Sequence, residues 1–351
     1  MKGGFLNSKQ YRKDIEEVLR LSLPWESLNG KNILVTGATG LICSFLVDVL
    51  MLNPIKNYQL YVVGRNEQIA HQRFFSFWED SSFHFIRQDL QEELKWDLEF
   101  HYIIHGAGNA FPKMFSMDPI GTLYGTIEGT RNLLEYASKH QTERFIYISS
   151  AEVYGSGEQS IWHEDDCGYV DSMLPRSCYP IAKRTSENLC IAYSFQRHLC
   201  ISVVRPSHIY GPTFTKTDNR VYAQFLRNVI ADEDIVMKSD GSQQRAYCYV
   251  SDCVSAMLYV LFYGQNAEAY NITNEYCFIS IKELAELMAK AYNKNVIYSM
   301  PGREEQQGYS ILRYTRLCNK KIKSLGWNAK VGMEDGIKRT IKILLEGSYG
   351  I

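Results

Sequence analysis

The run Asn32-Ile33-Leu34-Val35-Thr36 passes directly into Gly37-Ala38-Thr39-Gly40, and from there into an apolar stretch, Leu41 to Leu52, that Asn53-Pro54 stops. A short buried strand, a glycine turn and a helix restrict the chain to folds that reverse tightly from strand into helix. The alternation recurs. Gln59-Leu60-Tyr61-Val62-Val63 ends at Gly64-Arg65, and His84-Phe85-Ile86 ends at Asp89. Strands then follow at Tyr102–His105, Arg144–Ile148 and Cys200–Val204, with helical stretches near 119–138 and 180–198. Short buried strands alternating with helices predict an α/β fold, a doubly wound parallel sheet that binds ligands at the carboxyl ends of its strands. After about Pro206 the alternation is lost, which predicts a smaller α+β lobe.

The expected division is therefore a helical extension over 1–30, a dinucleotide-type sheet over 31–205, and a substrate lobe made mainly from 206–351. Within the extension, Ile15, Val18, Leu19 and Leu21 recur at helical spacing among charges, which predicts an amphipathic helix packed outside the sheet. The length of 351 residues suits one large or two medium domains.

Charge narrows the partners. With 38 Lys+Arg against 39 Asp+Glu the net charge is −1, so overall basicity gives no argument for nucleic acid or an anionic membrane. No apolar run reaches the roughly 18–20 residues of a membrane span, and Lys9, Arg12, Lys13 and Asp14 interrupt any export-signal core. The 9 cysteines show neither C-x-x-C pairs nor zinc-ligand spacing, so reduced, mostly buried thiols in a cytoplasmic protein are expected, with no metal.

The turn Gly37-Ala38-Thr39-Gly40 followed by Leu41 and Ile42 can bring backbone N–H groups to a pyrophosphate at a helix N-terminus. Cys43 stands where a third glycine would allow close helix–strand packing. An NAD enzyme usually carries an acid at the end of the second strand, to hold the ribose 2′-hydroxyl. Arg65 occupies that place and suits a 2′-phosphate, so NADP(H) or NAD(H) is expected; the alternative for Arg65 is a solvated surface cation. Asp89 and Leu90 are placed for the adenine, and Gly106 for a second close backbone approach. The strongest constellation is Ser149-Ser150-Ala151-Glu152-Val153-Tyr154-Gly155 followed by Tyr179-Pro180-Ile181-Ala182-Lys183. Spacing of i,i+4 puts Tyr179 and Lys183 on one helix face. An ammonium there favours the phenolate and can also hold the nicotinamide ribose, while Ser150 shares the hydrogen bond to the substrate oxygen.

These motifs resemble the extended short-chain dehydrogenases/reductases, specifically the sugar-nucleotide epimerase/dehydratase group, from about Asn32 to about Leu345. The resemblance implies a Rossmann-type sheet, and it implies catalytic roles for Ser150, Tyr179 and Lys183 with coenzyme contacts at Gly37, Gly40 and Pro206. It further implies a nucleotide-sugar substrate met by Arg245 and Arg220, and a homodimer built on the two long helices. Relatives often carry Asn where this chain has His208.

The reaction is narrowed by chemistry. The 4,6-dehydratases carry Thr-Asp-Glu before Val-Tyr-Gly, whereas here Ala151 replaces the Asp and only Glu152 remains, which disfavours elimination. Pro175-Arg176-Ser177-Cys178-Tyr179, Glu152 and the Arg245 segment resemble UDP-glucuronate decarboxylases. Those enzymes recycle bound NADH, whereas Arg65 points to NADPH and net reduction. The expectation leans to a reductase of an NDP-4-keto-6-deoxyhexose, with Glu152 orienting the sugar. A decarboxylase, a 4-epimerase and, more distantly, a non-catalytic NADP(H) sensor stay open.

Overall fold

The computed structural model describes residues 4–215, 217–299 and 314–347. The strands of the main sheet are all parallel, because each is followed by a covering helix or loop that returns the chain to the same edge. β1 (Asn32–Thr36), β2 (Gln59–Gly64) and β3 (Phe83–Arg87) grow in one direction, and β4 (Tyr102–His105), β5 (Arg144–Ile148) and β6 (Ile201–Pro206) in the other. The strand order reverses between β1 and β4, where Thr36 lies in register with His105. That switch point opens the crevice in which such sheets bind ligands.

Beyond Pro206 come β7 (His208–Tyr210), β8 (Ile235–Met237), β9 (Gln244–Tyr249) and β10 (Glu268–Ile272). β7 pairs with β9 outside the main sheet, but β10 pairs with β6 and completes a seven-stranded sheet. The expectation that the alternation ends near Pro206 is thus corrected. The added strand escapes the apolar pattern because Asn271 sits fully buried in it, satisfied by the Tyr154 hydroxyl and by the Trp162 and Cys318 carbonyls.

Among the helices, α1 (Lys9–Leu19), α2 (Leu41–Met51), α3 (Glu67–Arg73), α4 (Pro112–Met117), α5 (Pro119–Lys139) and α6 (Cys178–Arg197) precede β6. The later ones are α7 (Val221–Ile230), α8 (Val250–Tyr263), α9 (Ile281–Ala291), α10 (Lys320–Lys323) and α11 (Met333–Glu346). α2 is buried on nearly every side because α1 and α8 cover the faces that the sheet leaves open.

The extension is more than an outer layer. Ser8 caps α1 by accepting the Tyr11 N–H, and Tyr11, Ile15 and Val18 are buried. Two carboxylates are buried with it. Asp48 accepts Tyr11 Oη at 2.5 Å and Arg73 Nη2 at 2.5 Å, while Asp14 accepts Tyr249 Oη at 2.7 Å and Arg339 Nη1 at 2.8 Å. Removing one partner from such a buried pair costs about 3–5 kcal/mol, so α1 is tied to α2, α3 and α11 by strong contacts. No helix among the described residues is long and apolar enough to cross a membrane.

Candidate active site

A cleft of about 1060 Å³ opens over the carboxyl ends of β1, β4, β5 and β6, with β9 and α7 on its far side. The residues expected from sequence, Gly37, Thr39, Gly40, Leu41, Ile42, Arg65, Asp89, Leu90, Gly106, Ser150, Glu152, Tyr179, Lys183, Pro206, His208, Arg220 and Arg245, all line it.

The wall nearest the switch point is built from backbone. Gly37 has φ of 66°, and a Cβ there would lie 2.5 Å from the Gly106 carbonyl oxygen, so the turns after β1 and β4 touch. A Cβ at Gly106 would in turn lie 2.5 Å from Cys43 Sγ. The sulfur that replaces a third glycine is thus accommodated by the missing side chain opposite. Gly40 caps α2 without a side-chain hydrogen bond, which leaves the first-turn N–H groups facing the cleft. Uncapped donors beside two glycine cradles fit a dinucleotide pyrophosphate. Past the end of β2, Arg65 is 72% exposed and lies 3.8 Å from Asp89 Oδ2, so it is a solvated arginine at the cleft rim. Asp89 also accepts the Gln91 N–H at 3.0 Å, and Leu90 is buried.

Helix α6 carries Tyr179 and Lys183 to the end of β5. Lys183 Nζ donates to the Ile148 carbonyl at 2.7 Å, and burial pushes the ammonium down to about 8. The Ser150 hydroxyl accepts the Glu152 N–H at 3.2 Å and pulls the Tyr179 phenol toward ionisation. Burial, with the Glu152 charge second, pushes Tyr179 up to about 12, against the pull of Ser150, Arg220 and Arg176. Desolvation is the largest influence on the phenol and outweighs the groups that favour its phenolate.

The opposite wall is built from ion pairs. Arg176 grips Glu152 bidentately, Nη1 to Oε2 at 2.5 Å and Nη2 to Oε1 at 2.9 Å. Glu152 lines the cleft with each of its oxygens accepting one bond from that guanidinium. Arg176 is the residue that sequence reasoning left without a role; its place three residues before Tyr179 was the available signal. Arg220, expected against the pyrophosphate, is bound by Asp218, Nη2 to Oδ2 at 2.5 Å, and faces the cleft with that charge balanced. Arg245 is 4% exposed and donates to Gln243 Oε1 at 2.7 Å; burial, then the like charge of Arg176, push its guanidinium down. Next to it, burial pushes His208 down to about 3, so the imidazole is neutral. His208 Nδ1 and Ser207 Oγ are buried without a hydrogen-bond partner among the described residues. Orphaned polar atoms in a cleft wall are where a polar ligand adds hydrogen bonds.

Comparisons with known proteins agree with this geometry. The chain is 31% identical over 317 residues to UDP-glucuronic acid decarboxylase 5 of Arabidopsis thaliana, covering 87% of this chain and 86% of that one. It is 30% identical over 319 residues to UDP-glucuronic acid decarboxylase 1 of Danio rerio, covering 89% and 72%. Among solved structures, UDP-glucose 4-epimerase from Thermotoga maritima superposes with a TM-score of 0.76 at 26% identity, over 90% of this chain and 99% of that one. The fold is shared too with dTDP-glucose 4,6-dehydratase from Streptomyces venezuelae, solved with NAD, at a TM-score of 0.79 and 22% identity over 90% and 97%. The family model described as NAD dependent epimerase/dehydratase family matches residues 33–273, and with the glycine cradle and the Ser150, Tyr179 and Lys183 set in one cleft, the chain belongs to that family of enzymes.

Proposed function

We propose that the protein acts at C4 of a nucleotide-linked hexose, and that its net reaction is reduction of an NDP-4-keto-6-deoxyhexose such as dTDP-4-dehydro-6-deoxyglucose, in deoxysugar assembly for a surface polysaccharide such as lipopolysaccharide. The observation that carries this reading is the state of Glu152. It is the carboxylate whose charge acts on Tyr179, both its oxygens are taken by Arg176, and its neighbour Ala151 offers only a methyl group. Chemistry at C5 and C6 needs a further free acid or base; ketone reduction needs only one proton donor.

In this reading Gly37, Gly40, Leu41, Ile42 and Gly106 hold the coenzyme backbone, and Arg65 meets the adenosine ribose, where a guanidinium favours NADP(H) over NAD(H). The coenzyme, when bound, supplies the hydride that adds to C4. Tyr179 gives its proton to O4, Ser150 donates to the same oxygen, and Lys183 holds the ribose and tunes the phenol. Arg245, Arg220, His208 and Ser207 receive the nucleoside diphosphate and sugar. Residues 31–205 then serve the coenzyme and 206–351 mainly the sugar nucleotide, with α8 and β10 returned to the sheet. Free thiols at all nine cysteines suit the cytoplasm. Exposed Ile120, Tyr124 and Phe195 on α5 and α6 suit a homodimer.

A second reading, UDP-glucuronate decarboxylation, is favoured by the relatives and by the shared Arg176, Glu152 and Arg245 positions. There Tyr179 would take the O4 proton as bound NAD took the C4 hydride, the resulting 4-keto acid would lose CO2 and gain a proton at C5, and the hydride would return to C4 as Tyr179 reprotonated O4. One experiment separates the two: purified protein with UDP-glucuronate and NAD, and separately with dTDP-4-dehydro-6-deoxyglucose and NADPH. NADPH consumption with the keto sugar supports reduction. CO2 release without net coenzyme use overturns it in favour of decarboxylation.

A further inference from the structure

The cleft segment between β4 and α5 places an aromatic ring against the proton carrier. Phe115, on α4, is 1% exposed, and its ring stacks on Tyr179 with centroids 4.5 Å apart and planes 14° from parallel. The Arg176 guanidinium lies 5.2 Å from the Phe115 centroid, and Cys178 Sγ approaches the Phe115 carbonyl at 3.8 Å. Phe115, Cys178 and Tyr179 form a small buried cluster of their own, separate from the main cores.

The stack bears on a particular freedom of tyrosine. Rotation about χ2 is broad, and it leaves the phenolic oxygen on its axis. The O–H bond, however, prefers the ring plane, so the same rotation swings the direction in which the proton is offered. A ring clamped face to face keeps one plane. We propose that Phe115 is a positioning residue for Tyr179, fixing the plane of the phenol so that its proton is delivered along one line to the sugar oxygen. This rests on the reading of Tyr179 as the acid–base group. Asn109, Pro112 and Lys113 of the same segment also line the cleft, so the residue that sets the phenol plane belongs to the cleft wall.

The test uses the full chain with Phe115→Leu, which keeps apolar bulk without a ring, and Phe115→Tyr, which keeps the ring. Phe115→Leu lowers kcat about tenfold while KM for the nucleotide sugar moves less than about threefold, the mark of lost orientation rather than lost binding. It also moves the limb of the pH profile governed by Tyr179 to lower pH, because water reaches the phenol. Phe115→Tyr returns kcat to within about threefold of the parent, and coenzyme binding by nicotinamide fluorescence is unchanged in both variants. If Phe115→Leu does not bind coenzyme, Phe115→Met takes its place as the ring-free variant. Parental kcat in the ring-free variant, or a rise in KM with kcat intact, overturns the inference. Tyr179→Phe run alongside separates the two levels: residual turnover there sinks both this inference and the acid–base reading, whereas a dead Tyr179→Phe beside an unaffected Phe115→Leu sinks the inference alone.

Discussion

The two walls of the cleft are made of different material. On the switch-point side the surface is backbone, with Gly37 against Gly106 and an uncapped α2, and its shape is set by the absence of side chains. On the lobe side it is side chain, with Glu152–Arg176, Asp218–Arg220 and Arg245. A backbone wall has one shape and suits a ligand that does not vary. A wall of paired charges can be rewritten one residue at a time, which suits a family that includes decarboxylases, epimerases and dehydratases.

The largest effect is expected at the seam between the walls. Tyr179→Phe should cut turnover roughly a thousandfold or more while coenzyme affinity, measured by fluorescence titration, stays within a factor of about two. A parallel loss of coenzyme affinity would mean that the seam belongs to the backbone wall. Next, Arg176→Gln leaves Glu152 without its bidentate partner: turnover should fall about ten- to a hundredfold and stability by about 1–3 kcal/mol by urea unfolding, with coenzyme binding intact.

The backbone wall is probed by Gly106→Ala, whose added methyl meets Cys43 Sγ. Coenzyme affinity should drop about tenfold, and Cys43→Ala in the same chain should recover part of it. Failure of the double variant to recover would show that the strain lies elsewhere in the turn. The smallest effect concerns pH. His105 sits between the Thr36 and Thr130 hydroxyls, and burial, followed by the Lys183 charge, pushes it down to about 3. Its folded value lies below its unfolded one, so the unfolded chain binds the extra proton on acidification. The stability this group contributes is full above about pH 6.5 and declines as pH falls toward 3. In His105→Gln, the slope of Tm between pH 6.5 and 4 should be shallower than in the parent.

The contrast between the walls also explains what could be read from the sequence. β1, the glycine turn and α2 were legible because strand period, turn chemistry and apolar run coincide in one contiguous segment. Tyr179 and Lys183 were legible because one helix turn separates them. Arg176 was not, since the pairing that gives it a role joins it to Glu152 across two separate segments. Phe115 looked like any apolar residue in a loop. The phenol's difficulty in ionising was hidden too, because burial is a property of everything packed around the ring. β10 was missed for the same reason, its Asn271 being satisfied by groups far away in the chain.

The closure of α1 on α11 has a consequence for how the chain comes to be folded. Ser8 bonds Glu346 and Asp14 bonds Arg339, contacts between residues 338 and 325 positions apart. Until α11 has emerged from the ribosome, α1 lacks the guanidinium that balances the buried Asp14, so its final packing waits on a helix made more than 300 residues later. Contacts of such long sequence separation slow folding, because the chain must lose loop entropy before they form. The polar tie that joins α1 to the far lobe is therefore also a checkpoint on synthesis, since a chain cut before α11 keeps the glycine cradle but leaves Asp14 of α1 without its guanidinium.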